Sequence, residues 1–295
     1  MKLALSSEGT VLRPADDARW TGDVLTAPSA GAQMVGTYLR AQRRRRGLLL
    51  RDAARALGWT TGAAARLEAG QAVPSADALQ RLLTLYGSPD TGDAVRPLWD
   101  LAHIGGDYAA DVAPGWFERV AGCEFEADRI TAFSAWNIPH LVQTEGYATH
   151  WWTNTPVGHV PQPDAIAARM LPASRDKEVL LLLEETVLLR RSDPAVMTEQ
   201  LDHLLDLAEH ARTSIRIVPL YAGVVPPHGT LTVLGLPNGR CLHVEEAAAT
   251  VYSTGRPAAR LQYVIDSAVA AALPAGTSLD LIRRTRAACA QEANQ

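Results

Sequence analysis

The stretch Leu50-Arg-Asp-Ala-Ala-Arg-Ala-Leu-Gly58, followed by Thr60-Thr-Gly-Ala-Ala-Ala-Arg-Leu-Glu68, decides the fold of the first third of the chain. Its apolar residues recur at helical spacing in two short runs, and Gly58 separates the runs where a tight turn is needed. Thr60 or Thr61 can cap the second run by accepting a hydrogen bond from its backbone. The stretch therefore predicts two short helices joined by a tight turn.

Three further helices are predicted around this pair. One covers residues 32–46 and ends before Gly47, as is typical of a helix C-cap. Another begins after Ser75 and ends at Gly87, and the last covers residues 93–104. Together these helices predict a compact all-α domain over residues 32–104. Residues 1–31 show no sustained period, so we expect a flexible arm there.

The pattern changes after a segment at residues 105–118, which we interpret as a linker because glycine and proline punctuate it. Strand patterns follow at 129–136, 179–183, 215–220, 230–236 and 241–245, the last two joined by a hairpin signal at Pro237-Asn-Gly239. Helical patterns occur at 163–175, 186–191, 195–211, 256–272 and 278–291. This alternation predicts an α/β or α+β domain over residues 119–295, and hence a mixed fold class for the chain.

The composition is that of an ordinary globular protein. The chain has 295 residues, of which 47% are hydrophobic and 20% are charged, which excludes intrinsic disorder, collagen and a disulfide scaffold. No apolar run reaches the length of about 18 residues that a membrane span requires. The three cysteines lie far apart without a C-x-x-C pair, and the histidines show no metal-site spacing. We therefore expect a cytoplasmic protein without a metal or a cofactor.

Charge is distributed unevenly along the chain. The formal net charge is -4, yet eight arginines and only Asp52 lie between Arg40 and Arg66, which gives that segment a net charge of +7. A basic segment on an acidic protein indicates contact with a polyanion at one place. The alternative is a solvated helix face, and charge alone does not separate the two.

The helical blocks, together with Pro74-Ser75 and Tyr86-Gly87, resemble a helix-turn-helix of the XRE (lambda-repressor-like) class over most of residues 32–104. The resemblance implies that the second motif helix enters the major groove of DNA while nearby basic residues hold phosphates. It also implies a homodimer that binds two half-sites. The residues assigned to DNA binding in this way are Arg43, Arg44, Arg45, Arg46, Arg51, Thr60, Thr61 and Arg66.

The predicted recognition helix departs from this class at the positions that should face bases, which read Thr60-Thr-Gly-Ala-Ala-Ala65. Base readout needs donors and acceptors that reach base edges, whereas alanine offers a methyl contact with thymine. Gly62 also weakens the helix by roughly 0.5–1 kcal/mol relative to alanine. Two interpretations remain: weak binding dominated by phosphate contacts, or a structural or dimerisation role.

The segment Ile138-Pro-His-Leu-Val-Gln-Thr-Glu-Gly-Tyr-Ala148 is similar to the family signature P-G-L-L-Q-T-x-x-Y-A, with His140 and Val142 departing from Gly and Leu. Further blocks follow at 183–188, 197–201 and 215–220. Behind an XRE helix-turn-helix, this order resembles a large actinobacterial regulator family whose C-terminal domain has a poorly defined function. Its members are often encoded beside a small partner protein. The resemblance implies a transcriptional regulator whose C-terminal domain binds a small molecule or a small partner protein.

An aromatic set surrounds the signature and offers possible walls for a planar ligand. Its candidate ligand-binding residues are Trp136, His140, Tyr147, Trp151 and Trp152. Glu184 and Glu185 end a predicted apolar strand, where the pKa of a carboxylate is often raised. In the alternative, purely structural interpretation, the tryptophans are core residues and one glutamate caps the next helix.

These residues support a second functional hypothesis. Since His140 adds an imidazole at a family glycine position, the scaffold could instead be a regulator-derived enzyme of natural-product biosynthesis that has lost DNA binding. In that hypothesis His140, Glu184 and Glu185 are catalytic, and they perform an acid/base condensation or cyclisation of an aromatic amine substrate.

Overall fold

The computed structural model describes residues 28–88, 91–154, 177–190, 193–224, 229–247 and 249–295. Five helices form the N-terminal part, as predicted. Their bounds are Ala30–Arg45 (α1), Leu50–Leu57 (α2), Thr61–Glu68 (α3), Ala76–Tyr86 (α4) and Thr91–His103 (α5). Residues 1–27 of the predicted arm and the predicted helix at 163–175 lie outside the described residues.

Local signals set the ends of these helices. Gly58 follows α2 with φ 66°, a left-handed conformation in which glycine carries no steric penalty. The Thr60 hydroxyl then accepts a hydrogen bond from the Ala63 backbone N–H and so caps α3. α1 begins two residues earlier than predicted, because the Ser29 side chain accepts a hydrogen bond from the Ala32 N–H.

The C-terminal part is built on one mixed sheet of seven described strands, in the order β1-β7-β6-β5-β2-β3-β4. β2, β3 and β4 run parallel, whereas the other neighbouring pairs are antiparallel. β2 is therefore the strand at which the parallel and antiparallel halves meet. The strand bounds are Tyr108–Asp111 (β1), Arg129–Ser134 (β2), Glu178–Glu184 (β3), Thr213–Val218 (β4), Thr230–Gly235 (β5), Cys241–Glu246 (β6) and Thr250–Ser253 (β7).

Helices complete this part of the chain and confirm a mixed α/β fold class. Their bounds are Trp116–Glu126 (α6), Glu145–Asn154 (α7), Glu185–Leu189 (α8), Pro194–Ala208 (α9), Gly255–Ala271 (α10) and Ala275–Ala293 (α11). Taken singly, none of the helices in the described ranges is long and apolar enough to cross a membrane. Only α10 and α11 meet that test by length and composition, and then only as a pair that is bent by 82° at its break.

The segment predicted as a linker at 105–118 contains regular structure. It holds β1, which pairs with β7 at the edge of the sheet, and the first turn of α6. The glycine signals are real, since Gly106 and Gly115 both have positive φ, but they bracket a strand. Pattern analysis missed β1 and β7 because each is only four residues long and is fixed by pairing with a distant partner.

The N-terminal helices and the sheet share one hydrophobic core. Met34 and Leu39 of α1 belong to the same buried cluster as Cys123 of α6 and Ile130 of β2. α1 and α6 cross closely at Gly122, where an added Cβ would lie 2.7 Å from the Tyr38 ring. A second cluster covers the opposite face of the sheet beneath α10 and contains Phe133, Leu182, Leu231 and Ile265.

Polar contacts tie the same regions together. The Gln33 side-chain amide of α1 donates to the Cys241 carbonyl of β6 at 3.1 Å. From the β5–β6 hairpin, Arg240 Nη1 donates to the Ala69 carbonyl just after α3, at 3.3 Å. α1 therefore packs as a shared element between the helix-turn-helix and the sheet.

Candidate nucleic-acid interface and C-terminal site

The exposed face of α3 is the surface that a helix-turn-helix would place against DNA. Ala64 and Leu67 bury one face of α3, and Thr61, Gly62, Ala65 and Arg66 lie exposed on the other. Thr60 is exposed as well, with its hydroxyl engaged in capping the helix. The exposed side of α3 therefore carries few groups that can read base edges.

Arg43 does not lie on this surface. Its side chain is 10% exposed, and its Nε and Nη2 donate to the two carboxylate oxygens of Glu68 at 2.6 and 2.9 Å. Nη1 donates to the Leu48 carbonyl at 2.6 Å. The hydrogen bond with Glu68 raises the pKa of Arg43. Arg43 thus joins the end of α1 to the end of α3, and each of its three nitrogens donates within the protein. Its assignment to DNA binding stays a prediction, and this geometry argues against it.

Arg44 pairs with a buried carboxylate on α6. Glu126 has a fully buried side chain, and its Oε2 lies 3.2 Å from Arg44 Nη1 and 2.9 Å from Arg40 Nε. Two arginines of α1 therefore neutralise one carboxylate, since an unpaired charge would be costly to bury. This contact fixes the C-terminal half of α1 against α6.

The last two arginines of the predicted phosphate-binding run also have internal partners. Arg45 lies over the Phe125 ring, 4.8 Å from its centre, and burial lowers the pKa of its guanidinium. Arg46 donates to the Tyr86 and Gly87 carbonyls at the end of α4, at 2.6 and 2.8 Å. A helix C-terminus attracts cations because its last carbonyls lack helical partners.

Three other arginines remain available around α3. Arg51 and Arg55 on α2, and Arg66 on α3, are exposed, and within the described ranges no hydrogen bond or ion pair engages their side chains. Sequence reasoning counted Arg55 as charge but did not assign it to DNA binding. Its signal was the i, i+4 spacing from Arg51, which places both side chains on one face of a helix.

Part of the predicted aromatic set comes together in the C-terminal region. The buried His140 ring stacks on Trp152, with centroids 5.1 Å apart and planes 12° apart, and Phe117 meets His140 edge-on at 5.5 Å. His140 Nδ1 lies 3.1 Å from Gln143 Oε1. Trp151 packs against the same cluster. The side chains fill the space between them, so they form a packed cluster.

Tyr147 and Trp136 occupy other environments. The Tyr147 hydroxyl accepts a hydrogen bond from the Ile138 N–H at 3.3 Å, and burial raises its pKa. Trp136 is 44% exposed and carries the Arg190 guanidinium 4.8 Å from its ring centre. A groove of about 610 Å³ between α7 and α9 is lined by other residues, among them Glu145, His150 and Glu199.

Glu184 and Glu185 lie at the junction of β3 and α8. Glu184 occupies the N-cap position of α8, and its Oε2 accepts a hydrogen bond from the Thr186 hydroxyl at 2.7 Å. Glu185 Oε2 accepts a hydrogen bond from the Leu220 N–H at 3.2 Å. Glu184 therefore directly precedes α8, and Glu185 is the first residue of that helix. In the described parts of the chain, no group of three or more His, Cys, Asp or Glu residues could hold a metal ion.

Comparison with known proteins agrees with the two-part organisation. Residues 35–97 match a family model described as a helix-turn-helix domain, a DNA-binding module. Residues 117–284 match a family model described as a domain of unknown function, DUF5753. No curated protein matches the chain. Because the second match covers more than half of the chain, the protein belongs to the DUF5753 family and carries a helix-turn-helix domain ahead of that region.

Proposed function

We propose that the protein is a transcriptional regulator of the XRE type that binds DNA through α2 and α3. One observation carries this proposal: Arg51, Arg55 and Arg66 are exposed around α3, whereas the neighbouring arginines of α1 hold the fold together. Arginine donors that are free of internal partners are suited to phosphate oxygens. The scarcity of polar side chains on α3 indicates weak sequence readout.

The remaining parts of the proposal follow the family resemblance. The protein acts as a homodimer on two half-sites, in the cytoplasm, and its C-terminal region binds a small molecule or a small partner protein. Regulators of this actinobacterial type would couple such binding to DNA affinity.

The test is a fluorescence anisotropy titration of duplex DNA with the full chain over a range of salt concentrations. Three phosphate contacts per protomer predict a slope of about -2.7 in log affinity against log salt concentration for each bound protomer. Replacing Arg51, Arg55 and Arg66 together by alanine should remove most of that slope. Arg129→Ala serves as the matched control, since Arg129 is an exposed arginine on β2 that pairs with Glu178. An absence of binding at low salt would refute the proposal.

A further inference from the structure

Five polar side chains form a buried row across the sheet, on the face toward α6. Neighbours in this row are directly opposite each other on paired strands or joined by a hydrogen bond, so they point to the same side. Each is at most 7% exposed. The members of this polar row are Asp111 (β1), Thr250 (β7), Glu246 (β6), Thr230 (β5) and Ser134 (β2).

Three buried hydroxyl groups on this face lack a hydrogen-bond partner in the described part of the chain. They belong to Thr250 in the row, and to Thr232 and Tyr252, which lie two residues further along β5 and β7. All three residues are at most 1% exposed. Burying a hydroxyl without a partner costs free energy. The three hydroxyls on this face are therefore available to form hydrogen bonds with a bound molecule.

The row lies at one end of the sheet. Ser134 ends β2, the strand that pairs parallel with β3 and antiparallel with β5. Asp111 and Glu246 likewise end their strands, whereas Thr230 and Thr250 begin theirs, so the row follows one end of the sheet. The buried Asn137 follows at this edge, with its Oδ1 lying 3.2 Å from the Ser134 hydroxyl and 3.4 Å from that of Thr230.

The chemistry of the row restricts the ligand. Arg119 of α6 donates to both carboxylate oxygens of Asp111 at 2.6 and 2.7 Å, and to the Ala113 and Pro114 carbonyls. Its donors are therefore used within the protein. Carboxylates only accept hydrogen bonds, and hydroxyls can accept as well as donate. Arg119 balances the charge of Asp111, but an anionic ligand would still place its charge beside the buried Glu246. The site therefore favours an uncharged or cationic molecule that is rich in N–H or O–H donors.

We propose that the polar row is the binding site for a small aliphatic amino alcohol or polyol. This inference deepens the proposed function, since it names the site and the ligand class of the C-terminal region. The same helix that covers the row also contacts the helix-turn-helix, because Arg119 of α6 holds Asp111 while Glu126 of α6 holds Arg40 and Arg44. A ligand in the row is thus one helix away from the DNA-binding part.

The experiment measures thermal unfolding of the full chain with increasing serinol (2-amino-1,3-propanediol), glycerol or glycerate. These probes share a three-carbon skeleton and differ in carrying an ammonium, a hydroxyl or a carboxylate group. Serinol, glycerol or both should raise the unfolding midpoint of the wild type in a saturable way, and glycerate should not. The serinol and glycerol arms distinguish an amino alcohol site from a polyol site.

Variants make the result specific to the row. Thr232→Val combined with Thr250→Val should abolish the saturable response or weaken apparent affinity at least about tenfold, since both hydroxyls are lost. Thr131→Val is the matched control, because Thr131 lies on the opposite face of β2 and should keep the response. Tyr252→Phe, which removes the third unpaired hydroxyl on this face, provides a second variant if the double variant fails to fold. Non-specific stabilisation by solvent additives would act equally on all of these proteins.

Two outcomes would overturn the proposal: the same response in the wild type and the row variants, or no saturable response to any probe. The second outcome would mean that the row holds ordered water only. The DNA titration is independent of this experiment. If the wild type shows no response to serinol or glycerol but still binds DNA, the polar row is not the ligand site and the proposed regulator function still holds.

Discussion

Two groups of arginines are separated by only a few residues of sequence, yet one group bonds within the protein and the other is exposed. Those at the end of α1 bond to carboxylates, ring faces and helix-terminal carbonyls. Arg51, Arg55 and Arg66, on α2 and α3, are exposed. The partners of the first group are distant in sequence, since Glu68 lies 25 positions from Arg43 and Glu126 lies 82 positions from Arg44. A run of basic residues in the sequence therefore does not predict a positively charged surface, because some of its side chains pair with acidic residues that are distant in sequence.

The largest effect should come from breaking the buried pair of the first group. Arg43→Met leaves the Glu68 carboxylate, 8% exposed, without its counter-charge, and we expect the free energy of unfolding to fall by about 3–5 kcal/mol. Urea denaturation followed by circular dichroism measures the change. The double variant Arg43→Met with Glu68→Leu should recover most of the loss, because neither charge is then buried alone. A single variant as stable as the wild type would show that the pair is not desolvated.

A smaller effect is expected at the contact between α1 and α6. Glu126→Gln removes the charge that Arg40 and Arg44 share, but their side chains are 34% and 49% exposed and can turn to water. The free energy of unfolding should fall by about 1–3 kcal/mol, measured by the same denaturation. Glu178→Gln is the control, since that glutamate forms an exposed pair with Arg129. Equal losses in the two variants would argue against a special role for the buried carboxylate.

The smallest change in stability, and the clearest contrast, is expected from Arg66→Ala compared with Arg44→Ala. Arg66→Ala should leave the free energy of unfolding within about 0.5 kcal/mol of the wild type and reduce the salt slope of DNA binding by about 1. Arg44→Ala should leave the salt slope unchanged, because its guanidinium faces Glu126. Paired urea and anisotropy measurements check both statements. A reduced slope in Arg44→Ala would erase the distinction between the two groups.

Sequence patterns located the N-terminal helices well because their signals are local. Gly58, Thr60 and Ser75 act as turn and cap residues within one helical turn of the groups they satisfy. The fate of Arg43 could not be predicted in the same way, since it depends on how α1 packs against α3. Local capping chemistry is therefore readable from sequence, whereas charge pairing between helices is not.

The C-terminal site shows the same limit in another form. The signature at residues 138–148 and the tryptophans that follow it predicted an aromatic set, and in the structure His140 stacks on Trp152. Their role in ligand binding stays a prediction. The polar row escaped notice because it runs across the strands, with each of its five members on a different strand. Along the chain, each stands at one end of its own strand. Only the pairing register brings them side by side.

The hydrogen bond between Gln33 and the Cys241 carbonyl spans 208 positions of sequence. A growing chain emerges from the ribosome N-terminus first, so α1 leaves the exit tunnel long before β6 exists. Its inner face includes Met34 and Tyr38 in the shared core, and this face is buried only once α6 and the sheet have been synthesised. The contact between α1 and β6 therefore forms near the end of synthesis, and a translation product truncated before the sheet would carry a helix-turn-helix with an uncovered apolar side.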